Sequence, residues 1–380
     1  MRNTAQDEIL FPPRPHFHGE RRIVEIDLRD SRYEAFVNSH PSALIYHHPV
    51  WLEVLTRENP GKPICLASQD DAGRLYGILP LLPTRGLPFG GQLAGRRVSS
   101  LPRTPVAGPL ACDAQAAAAL IRAAKNYVPI RGTRLQIKVK SNDLDGIVDD
   151  VMGGRWRQHY VLELPDRVED LRLGSSRSHA RIRSTVNKAS TLNLRVRESE
   201  SESDLRAWYE LYLETMRWHV VPPRPYRFFQ AAWDLMRPRG FLRLLLAELT
   251  GHEPARLLAG SIFLPFGSTF FYAFNGASRK YTTLSPNDVI QWRAVHDACK
   301  EGYRYFDLGE VPDGCQGLAD FKRKWSSRQT WLYRYYYPKP PEFETGKQSA
   351  SLTAKLMKRI WRKVPIKATA VAGDWIYRYL

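Results

Sequence analysis

The alternation of apolar and polar positions changes character repeatedly along this chain, and each change marks an expected element. Residues 31–39 and 49–58 carry helical spacing. In the second, Val50, Val54 and Leu55 share a face and Pro49 suits a first-turn position. Apolar runs of strand length follow at 64–67, 75–82 and 92–99. An alanine-rich helix is expected over 113–127 and a strand over 134–139.

From about residue 166 the same order returns. The spacing of Ser199 and Glu202 fits a capping box. After it Leu205, Trp208, Tyr209, Tyr212 and Met216 recur at three- and four-residue steps, which predicts an amphipathic helix. Pro225 opens a further helix with Phe229, Ala232, Trp233 and Met236 on one face. Strands are expected over 242–248, 257–264 and 269–275. Ser285 as N-cap, Pro286 at the first position and Gly302 at the end predict a helix over 286–301. Strands at 303–308 and 330–337 complete the series.

The two halves correspond in order. Gly77-Ile78-Leu79-Pro80-Leu81 answers Gly260-Ser261-Ile262-Phe263-Leu264, and the helices at Asp113 and Pro286 occupy the same place before a strand. One α/β architecture used twice explains this. The expected organisation is an N-terminal arm (1–20), a first domain (21–165), a second domain (166–340), and a linker with a basic tail (341–380). In that tail Leu352, Leu356, Ile360 and Val364 are spaced by four among lysines and arginines, a pattern suited to an anionic membrane face or to docking on its own domain.

Charge narrows the partners. The formal net charge is +17, concentrated around Arg155–Lys188, around Lys322-Arg323-Lys324, and in the tail, which points to a polyanion: tRNA, an anionic membrane or a phosphorylated substrate. No apolar window approaches the roughly eighteen residues of a membrane span, and the N-terminus lacks an apolar signal core, so a cytoplasmic protein is expected. Cys65, Cys112, Cys299 and Cys315 form no C-x-x-C pair and read as free thiols. His16 and His18 are two lone histidines in the N-terminal arm, and His47-His48 precedes a helix without a carboxylate at ligand spacing, so no metal site is expected. Nucleophile-elbow, P-loop and H-E-x-x-H patterns do not occur.

A more particular string lies in the second half: Asn275-Gly276-Ala277-Ser278, Ser285-Pro286-Asn287, a helical Trp292, Phe306-Asp307-Leu308-Gly309, and Gly317-Leu318 before Phe321-Lys322. Together these resemble the Fem-like branch of the acetyltransferase (GNAT) superfamily, over roughly residues 22–337 and most strongly after Arg217. The resemblance implies two tandem GNAT-like domains, each a mixed, mostly antiparallel sheet flanked by helices. It also implies acyl or aminoacyl transfer to a cell-envelope precursor of peptidoglycan or exopolysaccharide type, lipid-linked or nucleotide-linked. Its Phe-Lys pair falls on Phe321 and Lys322, with the lysine at the transfer step. Arg217, Tyr272, Asn287, Phe321 and Trp292 are implied substrate contacts, and Asp307 and His219 are candidates to accept the proton.

The donor region departs from ordinary acetyltransferases. Those bind the coenzyme A pyrophosphate with a glycine-rich turn at a helix N-terminus. Here Arg279-Lys280-Tyr281-Thr282-Thr283-Leu284 has no glycine, and Gln92-Leu93-Ala94-Gly95-Arg96-Arg97 ends in arginine. The expectation is therefore no tightly bound cofactor and charged tRNA as donor, with acetyl-coenzyme A as the alternative. Peripheral contact with the inner face of the membrane is compatible with the basic tail, and DNA binding is not expected. A protein that keeps the fold to bind tRNA or membrane without catalysis is the third reading.

Overall fold

The computed structural model describes residues 21–58, 61–87, 95–128, 132–251, 255–326, 328–338 and 359–379. The expected N-terminal arm, most of the linker, Gln92 to Ala94, and Leu352 and Leu356 of the tail lie outside these residues.

The chain is mixed α/β. Its elements begin with β1 (Arg22–Glu25), α1 (Ser31–Ser39), α2 (Pro49–Glu58), β2 (Ile64–Gln69), β3 (Leu75–Thr84), β4 (Arg97–Ser99), β5 (Leu110–Ala111), α3 (Ala114–Lys125), β6 (Arg134–Val139) and β7 (Met152–Glu163). They continue with α4 (Ser176–Thr191), β8 (Leu194–Glu198), α5 (Glu202–His219), α6 (Tyr226–Met236), β9 (Arg243–Leu249), β10 (Arg256–Phe266), β11 (Thr269–Ala277) and α7 (Pro286–Lys300). The series ends with β12 (Tyr305–Val311), α8 (Gln316–Trp325), β13 (Arg328–Tyr337) and α9 (Ile366–Tyr377). The described residues in 1–157, 331–348 and 379–380 form one compact unit, and those in 158–330 and 349–378 form a second.

In the first unit the strand order is β1-β2-β3-β4-β6-β13, with β5 beside β3. All neighbours are antiparallel except β4 and β6, which run parallel on either side of α3. Its core gathers Leu66, Leu79, Leu81, Leu120, Leu135 and Ile137. The helix α3 starts where expected because the Asp113 carboxylate accepts the Ala116 N–H.

The second unit has the order β8-β9-β10-β11-β12-β7, again antiparallel except for one parallel pair, β11 and β12, which flank α7. The two units thus share one strand plan. Gly77 and Gly260 each sit on the third strand of their sheet, as their sequence correspondence predicts. At Gly260 the reason for glycine is packing. An added Cβ would meet the Trp208 ring 2.5 Å away, and the Gly260 carbonyl accepts the indole N–H of Trp208 at 2.9 Å. The last strand, grouped by sequence with the second half, pairs its residues 333–337 with β6 of the first unit.

The amphipathic faces fall as the spacing predicts. Leu205, Trp208, Tyr209 and Tyr212 of α5 are buried, as are Phe229, Ala232, Trp233 and Met236 of α6. Two caps differ from expectation. The cap of α5 is Ser201, two residues after Ser199, and its hydroxyl accepts the Asp204 N–H because the helix begins at Glu202. Ser285 precedes α7 in a left-handed conformation (φ 53°) and makes no side-chain cap bond.

Candidate active site

The site is built by two irregularities in the second unit's sheet. Along β10 and β11 the register shifts so that Ile262 faces Phe274 and Phe263 faces Tyr272, which leaves Ala273 as an extra residue. A bulge of this kind bends its strand and reverses the alternation of side chains. Phe270 and Tyr272 accordingly pack with Phe263, whereas Phe274 packs on Phe228 and Phe229 of α6. Just before the bulge the parallel ladder ends: Thr269, Phe270 and Phe271 pair with Tyr305, Phe306 and Asp307, and then β11 and β12 part. The second irregularity lies on β12, where the register against β7 shifts between Asp307 and Gly309.

Gly309 at this second shift has φ 80°, a backbone state that costs an L-residue about 1–2 kcal/mol. It turns the chain so that the next carbonyl, that of Glu310, accepts a hydrogen bond of 2.8 Å from the Lys322 ammonium. A Cβ at Gly309 would lie 3.3 Å from that ammonium and 3.8 Å from the Tyr272 carbonyl of β11. Lys322 therefore sits where the two strands separate. It arrives there from α8, whose inward face is Ala319, Lys322 and Trp325.

Lys322 is 5% exposed. Desolvation brings its pKa down to about 8, while the carboxylates of Asp307 and Glu310 pull in the opposite direction. A cation titrating near neutrality is thus fixed in a buried strand junction.

Beside it, Asp307 and His159 form a buried pair, His159 Nε2 to Asp307 Oδ1 at 2.7 Å. With Asp307 ionised, Nε2 carries the proton and donates. The other ring nitrogen, Nδ1, lies 3.2 Å from the Thr330 hydroxyl. The same Asp307 oxygen also accepts the Gly309 N–H at 2.8 Å, so the carboxylate holds the irregular turn as well as the imidazole. His159 is the residue that sequence reasoning missed. It lies on β7, a strand not expected from the pattern, and only the antiparallel pairing of β7 with β12 brings it to Asp307.

The remaining sequence-derived residues occupy three places. Tyr272 is on β11 at the bulge, and burial raises its phenol pKa. Phe321 precedes Lys322 and its ring lies 6.5 Å from that of Trp325. Asn287 is in the first turn of α7, which an Asp288–Lys324 ion pair of 2.7 Å ties to α8. Asn287 Oδ1, Gln291 Nε2 and Trp325 Nε1 are buried polar atoms without a hydrogen-bond partner among the described residues. Such atoms are uncommon in folded proteins and leave hydrogen-bonding capacity for a ligand.

Trp292 lines a cavity of about 510 Å³ with Leu171, Arg172, His179, Arg183 and His296, between α4, α7 and the segment before α4. Its ring lies 4.1 Å from that of His296 and 6.2 Å from that of His179. Arg217 and His219 stand at the end of α5. There Arg217 donates to the Val364 carbonyl at 3.3 Å, and the neighbouring Trp218 ring lies between Arg279 and Arg362.

Residues 176–323 match the family described as Acetyltransferase (GNAT) domain. A search of curated proteins finds no match. Among solved structures, FemX superposes with a TM-score of 0.62 at 17% identity, over 83% of this chain and 98% of its own. L-PGS from Bacillus licheniformis superposes at 0.53 and 11% identity, over 89% and 98%. The C-terminal domain of a protein assigned as a lysylphosphatidylglycerol synthetase from Agrobacterium fabrum superposes at 0.51 and 12% identity, over 83% and 92%. The chain thus shares the fold of FemX, and its residues 176–323 are similar to the GNAT acetyltransferase domain family.

Proposed function

We propose that this protein transfers an acyl or aminoacyl group to an amine or hydroxyl of a cell-envelope precursor, with the opening between β11 and β12 as the reaction site. The observation that carries this reading is the buried Lys322 ammonium held at that opening by the Glu310 carbonyl. Strands that part there leave main-chain groups of both able to align an extended substrate by hydrogen bonds.

In the proposed step the acceptor's amine or hydroxyl attacks the carbonyl carbon of an activated ester or thioester. The carbonyl electrons move onto oxygen, and Lys322 stabilises the oxyanion, an arrangement that gains strength where water is excluded. The intermediate collapses, the carbonyl re-forms, and the bond to the donor's oxygen or sulfur breaks. The acceptor's proton passes to the Asp307–His159 pair and then to the leaving group. Asp307 keeps the role given it by sequence, and the geometry favours His159 over His219 as its partner.

For the donor, the glycine-free segment Arg279–Leu284, here a short 3₁₀ turn, and the +17 charge favour aminoacyl-tRNA. Arg172 and Arg183, beside Trp292, two imidazoles and the single carboxylate of Glu169, form an aromatic-lined cavity with an excess of positive charge, suited to a phosphate-bearing part of the donor or acceptor. The match of 176–323 to an acetyltransferase family is the observation that favours acetyl-coenzyme A instead. The test is to supply labelled aminoacyl-tRNA or labelled acetyl-coenzyme A with a membrane extract, using wild-type protein and Lys322→Ala. Label moving from tRNA into an envelope fraction, abolished by the substitution, supports the reading. Label moving only from coenzyme A transfers the case to the alternative. Undiminished turnover in a folded Lys322→Ala protein refutes the assignment of Lys322.

A further inference from the structure

Large apolar side chains on the surface of a folded chain are ordinarily scattered. Here they are not. Of eight exposed large hydrophobic residues among the described ones, five come from two stretches: Trp218 in the last turn of α5 with Val221 just after it, and Ile360, Val371 and Trp375 near and on α9. Exposure reaches 52% at Ile360, 70% at Val371 and 48% at Trp375.

The two stretches are bonded to each other within the second unit. The Arg362 guanidinium donates to the Trp218 carbonyl at 3.1 Å and stacks on the Trp218 ring at 4.4 Å, and Arg217 donates to the Val364 carbonyl. Asp374 of α9 pairs with Arg227 of α6. Gly373 lies against Pro223 so closely that a Cβ would collide with its carbonyl.

These contacts fix which way α9 faces. Thr369 and Gly373 are its buried positions. Lys367, Val371 and Trp375, four residues apart, therefore form one stripe on the opposite, exposed side. The helix is apolar on both faces, and on the outer one Val371 and Trp375 are exposed to solvent. Arg359, Lys363, Lys367 and Arg378 are all exposed in this segment, the last paired with Asp374 one turn earlier.

Tryptophan and aliphatic side chains ringed by cations match the border of a lipid bilayer. There an indole sits at headgroup level, alkyl groups enter the acyl region, and basic side chains meet anionic headgroups. We propose that the surface formed by Trp218, Val221, Ile360, Val371 and Trp375, with its rim of arginines and lysines, docks the protein on an anionic membrane. The charge of the rim selects this occupant over an acid-poor apolar protein surface. Docking of this kind does not depend on the transfer reaction.

Flotation of the full-length protein with vesicles tests it. Phosphatidylcholine vesicles are compared with vesicles that also contain about a third phosphatidylglycerol, at low and at physiological salt. Wild type is expected to float with the anionic vesicles and not with the neutral ones. Ile360→Glu/Val371→Glu, which alters two exposed side chains, is expected to lower the partition coefficient at least tenfold with unchanged thermal midpoint. Arg359→Glu/Lys363→Glu/Lys367→Glu is expected to do the same and to flatten the salt dependence. Failure of wild type to bind anionic vesicles overturns the proposal. So does binding that survives both variants but is lost in Arg177→Glu/Arg181→Glu, which would place the lipid contact on α4. Concentration-dependent self-association that disappears in Ile360→Glu/Val371→Glu, without lipid binding in wild type, would make the face a protein interface and equally overturn it.

Discussion

At the scale of single residues the central quantity is the charge on Lys322. Its folded-state pKa of about 8 lies below the ordinary lysine value of 10.5, with desolvation as the chief cause. The folded protein therefore gives up this proton at lower pH than the unfolded chain does. Between pH 8 and 10.5 the unfolded state binds more protons, so this group's contribution to stability rises with pH across that window. Urea titrations of wild type and Lys322→Met should show the stability difference moving in favour of wild type by roughly 2–3 kcal/mol from about pH 7 to about pH 10. Parallel curves would mean that Lys322 is not desolvated in solution. If the ammonium form stabilises the oxyanion, kcat should fall as pH rises through about 8, and this limb should vanish in Lys322→Met. A rate that instead climbs through this range would make the neutral amine the active form.

Gly309 offers an independent check of the same geometry. Alanine there must adopt φ 80° and place its methyl 3.3 Å from the Lys322 ammonium. Gly309→Ala is expected to cost about 1–2 kcal/mol in stability and to lower kcat by more than tenfold, measured by chemical denaturation and steady-state transfer. A variant as active as wild type would show that the Glu310 carbonyl does not need to hold Lys322 in place.

At the scale of elements, the sequence and the fold agree wherever a periodic apolar stripe meets its own burial. The helices α1 and α2 and the strand β6 span the expected residues. So does most of the α5–α6 pair, because Trp208, Tyr209 and Phe229 specify their faces locally. Lys322 is singled out by the family resemblance and not by periodicity, and the structure adds its place on α8. It occupies an inward position between Ala319 and Trp325, and a lysine on the apolar face of a helix needs a function or a partner. What escaped sequence reasoning depends on distant pairing. The first third of β7, Met152 to Arg155, is exposed, so its pattern carries no strand period, and His159 acquires meaning only beside Asp307. The bulge at Ala273 is hidden likewise, since a run of aromatic residues looks the same with or without an extra residue.

The packing of α4 on α7 carries its own prediction. Arg183 lines the Trp292 cavity, is exposed, and forms no ion pair among the described residues. Arg183→Glu should leave the fold and kcat near wild type and raise KM for a phosphate-bearing substrate by about tenfold, the value of one charge-assisted contact of ~1.4 kcal/mol. An unchanged KM for both donor and acceptor would remove the cavity from the reaction.

At the scale of the whole molecule, the excess of 56 basic over 39 acidic side chains supplies a test that separates the two donors. A tRNA presents many phosphates, and each one neutralised releases counterions. At three to four phosphate contacts the affinity should fall roughly 40–150-fold between about 50 and 200 mM salt. Acetyl-coenzyme A offers far fewer phosphates and no condensed counterion layer along a helix, so its apparent affinity should change several-fold at most. Measuring KM for each donor across that salt range separates the two whatever the acceptor is. A steep slope for aminoacyl-tRNA, reduced in Arg177→Glu/Arg181→Glu, would assign the basic face of α4 to the donor. A flat slope would mean that the charge serves another partner and that a small acyl donor is the better reading of the opening between β11 and β12.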